Sequence, residues 1–153
     1  VVVYFINLAE KRKSGGKYKN FYLLEETEDN ELLALSFKGT KENAAGVSLY
    51  LSSFLSKNGI EESRANRIAV AVEEIAASCA ERMEGKKKFA DIDIRIFADK
   101  NETIISVRDN GDEFDPLNDD KEFEMSPLTV VKAISDKVEY SRVLGFNRTI
   151  IKL

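Results

Sequence analysis

The chain has 153 residues, 43% of them hydrophobic and 33% charged, which suits one soluble domain with its own core and argues against disorder. Its 23 basic residues against 27 acidic ones leave a net charge of −4, so no basic surplus exists to hold nucleic acid. Without a single histidine, the chain cannot build a histidine triad, a histidine-ligated metal or a phosphoacceptor histidine, and its one cysteine, Cys79, excludes an internal disulfide and any CxxC site.

The first element is apolar, from Val1 to Leu8, and Lys11, Arg12, Lys13, Lys17 and Lys19 follow it at once. The chain starts at Val1 rather than at methionine, which leads us to expect an excised piece. Such a stretch is too short to span a bilayer, which needs about 20 residues. Two readings stay open: a short strand or helix docked on the domain, or the last turns of an upstream membrane span with its cytoplasmic basic flank. Ser14-Gly15-Gly16 reads as a linker. Residues 1–20 are therefore set apart as an N-terminal segment, and 21–153 as the folded domain.

Phe21–Leu24 predicts a strand, and Leu32–Phe37 another that ends at Gly39. Thr40 is placed to cap a helix in which Ala44, Val47, Leu51, Phe54 and Leu55 recur at helical spacing, with Asn58-Gly59 as its stop. A second helix is expected from Glu62 to Met83, with Ile68, Val72, Ile75, Cys79 and Met83 as its stripe, followed by Gly85. Lys86, Lys87 and Lys88 read as a solvated basic turn. Ile92, Ile94 and Ile96 alternate with Asp91, Asp93, Arg95 and Phe97, a half-buried strand whose partner runs from Ile104 to Arg108. The acidic stretch Asp109–Glu124 reads as a loop. Ser126-Pro127 opens a short helix with Leu128, Val131 and Ile134 on one face, and Val138–Val143 and Thr149–Ile151 form a closing hairpin around Gly145. The order predicts an α+β two-layer sandwich, a mixed or antiparallel sheet with helices on one face.

Two segments carry candidate chemistry. On the second helix, Glu74 and Ser78 lie one turn apart on one face, where a carboxylate can take a proton and a hydroxyl can help hold a metal. A solvated Glu and a packing Ser would look the same on spacing alone. At the end of the 104–108 strand comes Asp109-Asn110-Gly111-Asp112-Glu113-Phe114-Asp115-Pro116. Its aspartate could accept a hydrogen bond from an exocyclic amine, and its glycine would let a flat ring approach. The bland alternative is an acidic loop with an Asx turn. An EF-hand is excluded, because Gly111 comes too soon after Asp109.

Together the two segments resemble the GHKL ATPases (gyrase, Hsp-type chaperones, histidine kinases, MutL). The helix looks like their N-box and Asp109–Pro116 like their first glycine box, D-x-G-x-G-F-D-P. The pattern from Glu31 to Leu153 is most similar to the anti-sigma-factor serine/threonine kinase branch of bacteria, with Ile134–Tyr140 especially alike. The resemblance implies a two-layer GHKL fold, ATP and Mg2+ as cofactors, a catalytic glutamate at Glu74 and a magnesium ligand at Ser78. It further implies an adenine-reading aspartate at Asp109, and ring or phosphate contacts at Gly111, Phe114, Ser126 and Leu128. It also implies a cytoplasmic location and a protein partner, a sigma factor or an anti-anti-sigma-like regulator, with a homodimer left open.

The sequence departs from the family at several points. Ser78 stands for the asparagine, Glu113 for the second glycine, and Met125-Ser126-Pro127-Leu128 for G-x-G-L, where Pro127 removes a backbone donor. The acidic side chains of the loop add repulsion toward an anion. Two functions follow: a regulatory, protein-binding module with weakened or lost ATP binding, or a working ATP-dependent serine/threonine kinase. A plain structural module is the third.

Overall fold

The computed structural model describes residues 4–6, 31–98, 101–115 and 127–153. The expected strand Phe21–Leu24, the Ser14–Gly16 linker, Ser126 and the acidic residues beyond Asp115 lie outside them.

Within the described residues six strands form one antiparallel sheet: β1 (Tyr4–Ile6), β2 (Glu31–Lys38), β3 (Asp91–Ala98), β4 (Thr103–Asp109), β5 (Lys137–Val143) and β6 (Phe146–Lys152). Their spatial order is β1-β2-β3-β4-β6-β5, so β6 inserts between β4 and β5. Three helices, α1 (Lys41–Lys57), α2 (Glu62–Arg82) and α3 (Pro127–Ile134), complete the expected α+β sandwich. Tyr4–Ile6 pair with β2 at one edge of the sheet, Phe5 opposite Leu35. Among the described residues no helix is long and apolar enough to cross a membrane.

The local rules hold where they were strongest. Thr40 is extended at φ −115° and its hydroxyl accepts from the Asn43 N–H at 3.1 Å. Gly59 follows α1 with φ +85°, a conformation that favours glycine. The α2 cap is Glu61, not singled out from sequence, whose carboxylate accepts from the N–H groups of Ser63 and Arg64. Ile68, Val72, Ile75 and Cys79 are buried on α2 and face Leu35, Ile92, Ile94, Ile96, Ile105 and Val107 of the sheet in one core.

One assignment needs correction. Phe97 was placed on the solvated side of its strand, yet it is only 8% exposed. It lies directly opposite Ile104 on β4, and an apolar cross-strand pair covers itself on that face. The closing hairpin turns through Leu144 (φ +51°) and Gly145 (φ +82°), the two positive values of a type I′ turn.

Candidate functional site

Glu74, Ser78 and Arg82 follow one another at four-residue spacing, so α2 presents them along one face. The face ends beside the loop that leaves β4. Asp109 is the last residue of β4, and only 5% of it is exposed. Its backbone alternation points the carboxylate inward, under the helix layer.

Asp109 is engaged through both oxygens. Its Oδ1 accepts from the Gly111 N–H at 2.9 Å and from the Asn147 amide at 2.9 Å, and its Oδ2 pairs with the Arg82 guanidinium at 3.4 Å. The first contact is the Asx turn expected of an acidic loop; the other two reach across the fold. A Cβ on Gly111 would stand 2.9 Å from Asp109 Oδ1, so the turn has room for glycine alone. Asn110 holds the same loop to β3, accepting from the Asp91 N–H at 2.7 Å.

Arg82 is the hub that sequence reasoning missed. One guanidinium nitrogen donates to Ser78 Oγ at 3.0 Å, another faces Asp109, and the group lies 4.4 Å above the Phe114 ring. Its Nε is buried and has no hydrogen-bond partner. The guanidinium therefore joins three of the expected site residues, Ser78, Asp109 and Phe114, through a cation. Its position eight residues after Glu74 on the same helix face was a readable signal.

Asn147 was also missed. It is 2% exposed, and its amide donates to Asp109 and to the Asp112 carbonyl at 2.7 Å. Its oxygen accepts from the Tyr140 hydroxyl at 2.9 Å and from Arg142 at 2.7 Å. Both donors and both oxygen lone pairs of the side chain are thus used, as burial requires. The signal was an amide at an inward strand position, in step with Thr149 and Ile151.

Two of the loop's acids have cations beside them. Lys86 pairs with Asp112, and Arg142 lies 3.8 Å from Glu113. Lys86–Lys88 are exposed, as expected of a solvated turn, and the surface pair from Lys86 and the Arg142 contact partly offset the charge of Asp112 and Glu113.

Glu74 is different. It is partly buried and no described residue hydrogen-bonds to it. Burial first, then the charges of Glu73 and Glu81, push its carboxyl above the ordinary range. Buried beside Asp109, the Cys79 thiol is pushed up to about 12, mainly by desolvation, and is therefore protonated and unreactive near neutrality. Leu128 lies in α3. Among the described residues no group of three or more acidic or thiol side chains could hold a metal ion.

No curated protein matches the sequence. A family model described as a histidine kinase-like ATPase domain matches residues 37–153, from the end of β2 through β6. That span contains α2, the Asp109 loop, α3 and the closing hairpin, and with most of its length covered the chain belongs to the histidine kinase-like ATPase domain family.

Proposed function

We propose that this GHKL-type module is regulatory, that its nucleotide affinity is weakened or lost, and that it works by binding a protein partner in the manner of the anti-sigma-factor kinases. The observation that carries this reading is Arg82. An adenine amine approaching Asp109 Oδ2 would compete with the guanidinium already there, and the same guanidinium covers the face of Phe114 that a ring at this site would use. The donor set also does not fit magnesium. Ser78 supplies one hydroxyl, and that hydroxyl already accepts from a cation, whereas magnesium demands several oxygens in octahedral array. Each charge-assisted hydrogen bond given up would cost roughly 1.5–3 kcal/mol, or one to two decades in affinity.

Calorimetric titration with ATP, with and without magnesium, tests it. The chain should bind more weakly than about 1 mM, a level that corresponds to about −4 kcal/mol. Arg82→Ala and Arg82→Gln should each bind more tightly than the parent. Micromolar binding by the parent would overturn the reading.

One observation favours the second reading, a working serine/threonine kinase. No described residue hydrogen-bonds to Glu74, and its carboxyl is shifted upward, the state that suits a general base for a hydroxyl nucleophile. Under that reading Glu74→Gln abolishes phosphate transfer to a partner protein while leaving ATP binding unchanged.

A further inference from the structure

The sheet face turned away from the helices carries a surface that the nucleotide-type site does not use. On β6 the inward residues are Asn147, Thr149 and Ile151, so Phe146, Arg148 and Lys152 point outward. Cross-strand pairing places Arg108 of β4 directly opposite Arg148, and Arg148 directly opposite Ser141 of β5. Two like charges face to face destabilise a sheet unless anions offset them. Arg108 has its anion, Asp93 at 2.7 Å, and also lies 4.7 Å over the Phe146 ring. The Nε of Arg148 is buried and makes no hydrogen bond. Glu139, outward on β5, is paired with Lys137, and its carboxyl is held low by that pair first and also by Lys152 and Arg148, so three cations share it. Four cations, Arg108, Arg148, Lys137 and Lys152, thus share three anions, Asp93, Glu139 and Glu102, so this face is one anion short in a chain whose net charge is −4.

The turn beside these arginines is apolar and open. Val143 is 41% exposed, Leu144 90% and Phe146 36%, and Val143 faces Phe146 across the turn. Leu144 holds a positive φ, which a bulky aliphatic residue adopts at a cost, and gains no burial in return. Strain and apolar exposure at one turn are what a contact surface shows. Finally, β5 ends the sheet: among the described residues no strand pairs with its outer side. Alternate N–H and C=O groups along its seven residues therefore point away from β6.

We propose that the outward face of the β5–β6 hairpin docks an extended acidic segment of a partner protein, which adds as a strand to β5. A strand beside β5 stands two strand spacings, about 10 Å, from β6. A glutamate on it reaches Arg148 across Ser141, the small residue between them. An apolar side chain further along the segment covers Val143 and Phe146. The open backbone edge favours a peptide over a lipid surface, since only a peptide satisfies it. The proposal rests on the protein-binding reading above and names the surface and chemistry of that binding.

The test is an amide chemical-shift titration of the whole chain with three probes. These are a synthetic peptide of about ten residues alternating glutamate and valine, its lysine–valine counterpart, and vesicles of phosphatidylserine in phosphatidylcholine. The length spans a typical strand. The acidic peptide should move amides of β5 and β6 and leave α1 unmoved, and the basic peptide should not bind. Arg148→Glu should weaken the acidic peptide at least about tenfold, which is 1.4 kcal/mol. Leu144→Asn, which suits a positive φ and keeps the turn folded, should weaken it severalfold. No shift in β5 and β6, equal shifts with both peptides, unchanged affinity in Arg148→Glu, or binding to vesicles alone would each overturn the proposal. None of these readouts involves ATP, so a failure here is distinct from a failure of the nucleotide reading.

Discussion

Asp109 and Glu74 are the two carboxylates that the sequence resemblance singles out, and their surroundings are opposite. Asp109 is 5% exposed, with two donors on one oxygen and a guanidinium on the other. Glu74 is partly open, without a donor, and surrounded by like charge from Glu73 and Glu81. The first is built as a structural member; the second keeps the features of a reactive one. A buried carboxylate held by several donors is costly to disturb, whereas an unpaired one contributes little to stability and is available for chemistry. The two carboxylates have thus parted: Asp109 is enclosed by the protein's own side chains, and Glu74 is left open.

The largest expected effect breaks the enclosed carboxylate. Asp109→Ala leaves Arg82 buried without its anion and should lower unfolding free energy by about 3–5 kcal/mol in urea denaturation. A loss under 1 kcal/mol would mean that Asp109 is not structural. Next comes Asn147→Ala, which removes two donors from the loop and the acceptor for Tyr140 and Arg142; a loss of about 2 kcal/mol is expected. Gly111→Ala forces a methyl to 2.9 Å from Asp109 Oδ1 and should cost about 1–2 kcal/mol, read as a lower midpoint at unchanged slope.

The smallest effect concerns the open carboxylate. Because burial and neighbouring acids raise Glu74's carboxyl in the folded chain, the folded state takes up a proton before the unfolded one as pH falls. This group therefore destabilises the fold near pH 7, and the penalty fades on acidification toward the ordinary carboxylate range. Glu74→Gln should be slightly more stable than the parent at pH 7, and the difference should shrink as the pH is lowered. A difference that grows on acidification would contradict the sign. Asp91, whose carboxyl is held low by the hydrogen bond from Lys38 and by Asn110, runs the other way and loses stability at acid pH in parent and variant alike.

The sequence made the elements readable because periodicity and caps are local. Ala44, Val47, Leu51 and Leu55 mark α1, Thr40 starts it, and Ile92, Ile94 and Ile96 mark β3. The α+β sandwich followed from element order. Phe97 was misplaced because alternation alone does not know its cross-strand neighbour, Ile104. In the site, Ser78, Asp109, Gly111 and Phe114 do come together, since their motifs sit at the end of one helix and one strand. What joins them, Arg82 and Asn147, is legible only as position, a helix face shared with Glu74 and an inward strand site; their partners come only from what the fold brings against them. The same holds for Arg148, which the register sets directly across from Arg108 and whose Nε is unmet.

The insertion of β6 between β4 and β5 has a consequence for synthesis. Arg82 and Asp109 are 27 residues apart, but Asn147 follows Asp109 by 38 more. On the ribosome, α2, β3 and β4 emerge first and can pair as a hairpin against the helix. At that stage Asp109 has only Arg82 and its own turn, and the β4 edge that will receive β6 is bare. At 5–20 residues per second the interval lasts on the order of seconds, far longer than a hairpin needs to form. The last amide donor to Asp109 arrives with the strand that also covers that edge, so the loop is fixed and the aggregation-prone edge hidden in one step.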